Sequence, residues 1–372
     1  MKKLLPALLA ALLVCAAQGG ALAEESDEQD TYILLDRENR VITSYAGTPQ
    51  AGDEYIAADN AYYRVSRVDE VRRAATMEKI GQYEMPDVSW LDAADSLPAS
   101  AVSKAIAIYC THSDESYVPT DGTSSDSKGH GGIYDVAGAL KEALTDKGVT
   151  VYLSENTHHP HDAGAYRRSR ATAAELLKNG VDAILDIHRD GIPDPDEYDT
   201  TVNGKSLAMV RLEVGRSNQN AEANKAFAAR LKAIADKVYP GLVKDIYIGK
   251  GTYNQDLSSH AILLEFGTHT SEKEDAEKAT AYMADVIYRS LYGGVTGAAG
   301  ASDVSYRSKQ SGENGTGDNK GAWSGILWVI GGLIVGAVIY AFAATGRMKP
   351  ALEKAGGTFR EMFGGLFGKK KK

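Results

Sequence analysis

Three residues that could bind a metal ion follow apolar runs of the sequence. His112 and Glu115 form an H-x-x-E pattern shortly after the run 105–109, and His188 closes the run 182–188. Two histidines and one carboxylate form a ligand set that leaves a fourth zinc position open for water. Polar residues that follow the strands of an open α/β sheet meet at the carboxyl ends of those strands, where sites form. The pattern therefore predicts a Zn²⁺ site built by His112, Glu115 and His188.

A fourth polar residue, Glu265, lies inside the apolar run 261–267. A charge there is costly unless it is paired or functional. Zinc brings the pKa of a bound water to about 7, and a nearby carboxylate can take and return the proton. We therefore predict Glu265 as the catalytic base. Asp186 and Asp190 flank His188, and either could orient its ring by a hydrogen bond.

Other residues compete for these roles. His158, His159 and His161 crowd one loop, and we expect them to be surface histidines. Cys110 is two residues before His112, so on a regular strand the two side chains would share a face. We expect a structural thiol near the site rather than a ligand. The sequence contains no G-x-S-x-G pattern, so nucleophilic catalysis ranks low.

The elements that must position these residues alternate along the chain from residue 101. Apolar runs predict strands at 105–109, 149–153, 182–188, 207–215 and 261–267, and amphipathic stretches predict helices at 136–147, 163–179, 219–238 and 271–291. This alternation predicts an α/β fold with a mostly parallel central sheet flanked by helices, over residues 101–295.

Short β-like runs separated by turn residues occupy the chain before this region. They predict a small all-β unit over 31–75, and a polar stretch over 76–100 is interpreted as a linker. A region rich in Gly, Ser, Asn and Asp over 296–322 is typical of a flexible stalk.

Both ends of the chain predict export and anchoring. Residues 1–23 carry a positive start, a short apolar core and a small-residue exit, as a secretory signal peptide does. Residues 323–345 contain an uncharged run long enough to cross a bilayer. Residues 346–372 form a basic tail, which indicates the cytoplasmic side. We therefore expect a single-pass protein of the cell membrane whose main domain is extracytoplasmic.

Charge and cysteine content exclude further classes. The formal net charge is −9, and an acidic surface argues against nucleic acid as a partner. One of the two cysteines lies in the predicted signal peptide. The mature chain would then hold only Cys110, which excludes an intrachain disulfide.

Four ordered motifs resemble the stage II sporulation protein P family. They are IYCTHSDESY (108–117), YRRSR (166–170), ILDIHRDG (184–191) and YNQDLSSHAILLEFGTH (253–269). The resemblance implies a fold related to amidases and zinc carboxypeptidases. It also implies a zinc-dependent N-acetylmuramoyl-L-alanine amidase that strips stem peptides from peptidoglycan, with endopeptidase activity on cross-links. Its implied partners in engulfment during sporulation are a lytic transglycosylase and another membrane protein.

The resemblance also assigns residues. It places His112, Glu115 and His188 at metal-binding positions and Glu265 at the position of the catalytic glutamate. It puts Arg189, Asn254 and Gln255 nearby, as groups that contact substrate or support the ligands.

Two departures from the family and its relatives bear on these assignments. The family usually has histidine where this chain has Cys110, which would alter activity if that histidine supports catalysis. Related amidases use a histidine in a Gly-His-Gly-Gly loop and a glutamate at the next helix start. Here His130 lies in such a loop, but the helix start offers Asp135, so His112 and Glu115 are preferred.

Two alternative functions stay open. One is a zinc carboxypeptidase or endopeptidase acting on stem peptides. The other is a non-catalytic peptidoglycan-binding partner that positions other hydrolases. Retention of the three proposed ligands and of Glu265 argues against the second.

Overall fold

The computed structural model describes residues 31–96, 104–162 and 164–293. The predicted signal peptide (1–23), stalk (296–322), membrane helix (323–345) and basic tail (346–372) lie outside these residues and stay predictions. Within the described part of the chain, none of the helices combines the length and apolar character that a membrane span needs.

Strands and helices alternate after residue 104, as the sequence predicts. The strands are β1 (Thr31–Leu35), β2 (Val41–Ala46), β3 (Glu54–Ile56), β4 (Ala61–Asp69), β5 (Ala74–Gln82), β6 (Ala105–Tyr109), β7 (Thr150–Leu153), β8 (Ala183–Asp190), β9 (Asp199–Val202), β10 (Lys205–Ala208), β11 (Val210–Gly215), β12 (Val243–Gly249) and β13 (Ala261–Thr268). The α-helices are α1 (Val118–Asp121), α2 (Ile133–Thr145), α3 (Ala165–Leu177), α4 (Ala221–Val238) and α5 (Lys273–Tyr292). Short 3₁₀ helices span Ser89–Ser96, Pro195–Glu197 and Gln255–Leu257.

Eleven of these strands form one sheet, in the order β2-β1-β5-β4-β3-β12-β11-β13-β8-β6-β7. From β12 to β7, all neighbours are parallel except β11 and β13, which are antiparallel. The prediction of a mixed α/β fold with a mostly parallel central sheet is confirmed for this half. Strands β9 and β10 form a separate antiparallel pair, so the predicted strand over 207–215 is two strands, β10 and β11.

The two faces of the central sheet differ in chemistry. Ile108, Leu185, Leu212 and Leu264 point to one face and share a buried core with residues of α2, α4 and α5. Burying each such side chain contributes about 1.5–3 kcal/mol. Residues at alternate positions point to the opposite face, which carries the charged residues of β8 and its neighbours. Packing of the apolar face against the helices therefore stabilises the sheet, and the opposite face carries the polar residues of the candidate site.

Helix ends follow the glycines in the sequence. Helix α2 ends shortly before Gly148, and α3 shortly before Gly180. Both glycines adopt the left-handed conformation, with φ of 76° and 68°, which residues with a Cβ disfavour. The predicted helix boundaries therefore agree with the structure to within a few residues.

Strands β1–β5 form what is called here the N-terminal β unit, residues 31–82. The predicted boundary at residue 75 is wrong, because β5 runs on to Gln82 while paired with β4. The unit also shares the main sheet, since Tyr55 and Ile56 of β3 pair with Tyr247 and Ile246 of β12. Its core of Leu34, Tyr45, Tyr55, Val65, Ala75 and Met77 includes Tyr247 from β12. The predicted linker over 76–100 therefore begins as a strand.

Strand β12 was not predicted. Its sequence VKDIYIG places Lys244 and Asp245 inside the strand, and both are buried. Charged residues at buried strand positions are uncommon, and they interrupt the apolar run that would otherwise indicate a strand. Their partners come from distant parts of the chain, such as Arg211 and Glu197.

Candidate metal centre

The H-x-x-E pattern lies on a turn that follows β6. The backbone N–H of Glu115 donates to the carbonyl of His112 at 3.3 Å. This turn brings the two side chains together, with His112 Nδ1 3.2 Å from Glu115 Oε1. A tight turn, in which residues three apart lie close together, therefore brings His112 and Glu115 into contact.

His188 reaches the same carboxylate oxygen from β8. Its Nδ1 is 3.1 Å from Glu115 Oε1. The relative exposure of His112, Glu115 and His188 is 2%, 0% and 0%, and one ligand atom from each lies within 4.8 Å of the others. The structure thus brings the three predicted ligands into one buried group.

The donor set and its spacing fit zinc. Tetrahedral Zn²⁺ with bonds of 2.0–2.1 Å to nitrogen and oxygen requires ligand atoms about 3.3 Å apart. The distances from Glu115 Oε1 to His112 Nδ1 and to His188 Nδ1, 3.2 and 3.1 Å, are close to that value. Two imidazoles and one carboxylate also leave a coordination position for water or substrate. These three residues could hold a metal ion.

Groups behind the ligands fix their orientation. Asp186 Oδ1 lies 3.1 Å from His188 Nε2, so Asp186 is the carboxylate that faces the ring. Asp186 is in turn held by the N–H and the hydroxyl of Thr111, at 2.8 and 2.6 Å. Glu115 Oε2 accepts a hydrogen bond from the Arg189 backbone N–H at 3.0 Å. Such a supporting layer sets ring orientation at metal sites.

The surroundings shift the pKa values of Glu115 and His188 in opposite directions. Burial alone would raise the pKa of Glu115, but charged His188, hydrogen bonds from both histidines and Arg189 hold this pKa well below its usual range. Burial alone would lower the pKa of His188, yet Glu115 and Asp186 hold it well above its usual value. A bound divalent cation would also place positive charge beside Glu115, and it requires neutral imidazole from its histidine ligands.

Glu265 lies on the strand next to the ligands. It is 1% exposed and stands in register with His188 across the parallel pair β13–β8. Directly opposed residues point to the same face of a sheet, so Glu265 and His188 share the polar face. Its other neighbour in register is Arg211 of β11. This placement is suitable for a base that acts beside the metal.

The Gly-His-Gly-Gly loop supports the site with its backbone. Gly131 N–H donates to the carbonyl of Ser113 at 2.8 Å, and Ile133 N–H donates to that of Glu115 at 3.0 Å. His130 is exposed and stacks on Tyr134, with ring centroids 4.1 Å apart. It does not belong to the buried ligand group.

The corresponding helix-start residue, Asp135, also lies outside that group. It is largely exposed and pairs with Lys273 at 2.7 Å. The geometry thus favours His112 and Glu115 over His130 and Asp135.

The expectation that the histidines of the 158–161 loop lie on the surface is wrong for two of them. His158 is buried, and its ring contacts the carbonyl of Cys110 at 2.8 Å and the hydroxyl of Thr172 at 2.9 Å. His161 stacks on His112 with ring centroids 3.9 Å apart. His159 alone is exposed. The loop folds back over the end of β6, which its own sequence does not indicate.

Tyr166 is a neighbour of the site that residue-level reasoning missed. Its ring packs edge-on against His112 at 5.3 Å and lies 6.5 Å from the ring of His188. The YRRSR motif contains it, but an aromatic residue near a helix start carries no chemical signal by itself.

Cys110 does not lie among the ligands. Strand β6 ends at Tyr109, so the strand alternation that would place Cys110 and His112 on one face no longer applies. The Cys110 side chain is buried in the apolar core with Ile108 and Ile187. Burial, with the nearby Asp186 and Glu115 charges, raises the pKa of this thiol well above its usual value. It is a structural thiol.

Asn254, Gln255 and Asp190 contact residues of α3 and β11 beside the site. Asn254 Nδ2 donates to the carbonyl of Tyr166 and to the hydroxyl of Ser169, both at 3.0 Å. Gln255 Nε2 donates to the carbonyl of Glu213 at 2.8 Å. Asp190 faces Arg211, at 2.8 Å, and not His188. The geometry gives these three residues supporting contacts.

A family model and a curated protein match this chain. A sequence model of the family "Stage II sporulation protein P (SpoIIP)" matches residues 23–288. The stage II sporulation protein P of Bacillus subtilis (strain 168) is 32% identical over 202 residues, which are 50% of this chain and 50% of that protein. The chain therefore spans about half the length of this curated relative.

Solved structures of amidases are also similar. An N-acetylmuramyl-L-alanine amidase from Mycobacterium smegmatis aligns with a TM-score of 0.34 and 18% identity, covering 52% of this chain and 97% of that one. The apo form of its counterpart from Mycobacterium abscessus aligns with a TM-score of 0.33 and 15% identity, covering 51% of this chain and 98% of that one. The family match extends over most of the chain, from residue 23 to residue 288, and on that ground the chain belongs to the stage II sporulation protein P family.

Proposed function

We propose that this protein is a zinc-dependent peptidoglycan hydrolase, an N-acetylmuramoyl-L-alanine amidase that cuts stem peptides from glycan strands. The observation that carries the proposal is the buried convergence of His112, Glu115 and His188, with Glu265 in register beside His188. The substrate class comes from the resemblance to the family. Amide hydrolysis suits this arrangement, because it needs an activated water and a group that moves protons.

Each residue of the site would have a separate role in the reaction. His112, Glu115 and His188 would hold the zinc ion, and Asp186 would keep the His188 ring oriented from 3.1 Å. Zinc bound there would lower the pKa of a water molecule to about 7 and would polarise the scissile carbonyl. Glu265 would accept a proton from the attacking water and deliver it to the leaving amine. Tyr166 and His161, packed against His112, would limit access of bulk water.

The cellular setting of this reaction is part of the proposal. An extracytoplasmic domain held by the predicted membrane helix at 323–345 would meet peptidoglycan directly. Family membership supports a role in sporulation, with a lytic transglycosylase and a second membrane protein as partners.

The experiment compares the wild-type chain with Glu265→Gln. Zinc content and released muropeptides are measured on the same samples. We expect about one zinc in both proteins, and loss of cleavage by about 10²–10⁴-fold in the variant, which is the usual contribution of a general base. Glu277→Gln, on the helix that follows β13, makes the same chemical change outside the site and should keep full activity.

Product masses then define the specificity. Free stem peptides beside intact cross-links indicate an amidase, whereas opened cross-links indicate an endopeptidase. A wild-type chain that binds no zinc and releases nothing would overturn the proposal, and the protein would then be interpreted as a wall-binding partner.

A further inference from the structure

A buried arginine links the N-terminal β unit to the strand that carries His188. Arg211 is 1% exposed, and its Nη1 donates to Asp190 Oδ2 at 2.8 Å. Asp190 ends β8, two residues after His188 and on the same face of the sheet. Arg211 also stands in register with Glu265. Arg211 therefore contacts β8, the strand that carries the predicted ligand His188. Its own strand, β11, pairs with β13, which carries the predicted base Glu265.

The rest of this guanidinium is held from two directions. Its Nε and Nη2 donate to the two carboxylate oxygens of Asp245 at 2.8 and 3.0 Å. Its Nη2 also donates to the hydroxyl of Thr43 and to the carbonyl of Ser44, both at 3.1 Å. Both of these acceptors belong to β2 of the N-terminal β unit. Without them, donors of a buried cation would lose partners, which is costly.

A second path from the same strand reaches the other side of the metal centre. The Tyr45 hydroxyl donates to Glu213 at 2.9 Å, and the Tyr253 hydroxyl donates to the same oxygen at 2.8 Å. The Tyr253 ring then packs on Tyr166 at 5.3 Å, and Tyr166 packs on His112. Tyr45 is thus connected to His112 through three buried side chains.

The backbone at the end of this path is strained. Tyr253 and Asn254 both adopt the left-handed conformation, with φ of 47° and 55°, which is uncommon for residues with a Cβ. Such conformations persist where surrounding contacts impose them. Here the contacts are those of Tyr253 with Glu213 and of Asn254 with Tyr166. The strain therefore lies in the segment that fixes Tyr166 over the ligands.

We propose that the N-terminal β unit positions the metal centre, and that Arg211 is the positioning residue through which it holds β8. The unit and the main sheet are then one catalytic domain, with the unit supplying part of the layer behind the ligands. This inference rests on the proposed function only for its effect on catalysis, because ring positions can be measured without zinc or substrate.

The test uses the full chain. The substitutions are made in the N-terminal β unit, and the predicted ligands are left unchanged. Thr43→Val removes the hydroxyl that Arg211 contacts, and Tyr45→Phe removes the hydroxyl that Glu213 accepts, at nearly constant volume. Thr43→Ser retains the hydroxyl. Val41→Thr is the matched control, because Val41 is on the same strand and 66% exposed. Imidazole ¹⁵N–¹H spectra of His112 and His188 are recorded, with kcat and KM for muropeptide release.

We expect Thr43→Val to shift the His188 signals and Tyr45→Phe to shift those of His112. We also expect kcat to fall about tenfold, the lower end for residues behind metal ligands, with KM within about twofold. Thr43→Ser should restore the wild-type spectrum, and Val41→Thr should not change it. If either variant fails to fold, the other decides by the same readouts.

Folded variants with unchanged imidazole signals and unchanged kcat would overturn the inference. A wild-type chain without zinc or activity would overturn the proposed function instead, and the imidazole signals would still decide the positioning role.

Discussion

Glu115 is the residue on which the proposed metal centre depends most directly. Its Oε1 lies 3.2 Å from His112 Nδ1 and 3.1 Å from His188 Nδ1, and its Oε2 accepts the Arg189 N–H. Glu115→Gln keeps the shape of the side chain but removes its charge and one of its two carboxylate oxygens. We expect the variant to fold and to lose most of its affinity for zinc.

The magnitude follows from the number of ligands. Zinc binding at a structural four-ligand site amounts to about 10–16 kcal/mol, or about 3 kcal/mol for each ligand. A loss of that size raises the Kd about a hundredfold, since 1.4 kcal/mol corresponds to tenfold. Zinc at a hundred times the wild-type Kd stabilises the wild type by about 2.7 kcal/mol, but would stabilise the variant by only about 0.4 kcal/mol.

The assay is denaturant unfolding with and without zinc. Glu142→Gln, an exposed position on α2, is the control for the same chemical change and should retain the full stabilisation. Equal stabilisation of Glu115→Gln and the wild type would show that Glu115 is not a ligand. No stabilisation of the wild type by zinc at any concentration would refute the metal centre itself.

Two further predictions concern the surroundings of the site. A Cβ on Gly131 would lie 2.0 Å from the Glu115 carbonyl oxygen, so we expect Gly131→Ala to cost about 1–3 kcal/mol of unfolding free energy and to weaken zinc binding. Gly138→Ala, where a Cβ meets nothing within 4 Å, should instead stabilise α2 by about 0.5–1 kcal/mol; equal effects of the two substitutions in denaturant unfolding would contradict this reasoning. Burial lowers the pKa of His158 below its usual 6.5. Below pH 6.5 the unfolded chain therefore binds more protons than the folded chain, and the free energy of unfolding decreases as the pH is lowered. The stability advantage of the wild type over His158→Gln should therefore shrink between pH 7 and pH 5, and a constant difference across that range would show that His158 does not contribute.

Local sequence was sufficient for most of the elements after residue 104 and for the choice of candidate site residues. The strands at 105–109 and 261–267 are predicted because they are continuous apolar runs, and the glycines after α2 and α3 indicate where those helices end. The H-x-x-E spacing, His188 and Glu265 can be recognised because they are polar residues within or shortly after apolar runs, where burial of an unpaired charge is costly. Each of these signals is contained in a short segment of the chain, so no tertiary information is needed to find it.

Other features were decided only by tertiary structure, because they depend on contacts between residues far apart in the chain. The partners of Arg211 come from β2, β8 and β12, so neither its burial nor that of Asp245 can be inferred locally. The same holds for the 158–161 loop, which folds onto the proposed metal centre, and for Cys110, which faces the apolar core once β6 has ended. The sequence by itself determined which residues could bind a metal. Only the packing of the sheet determined that the N-terminal β unit belongs to the same domain, since that depends on one strand pair, β3 with β12, and on buried charges that are satisfied across it.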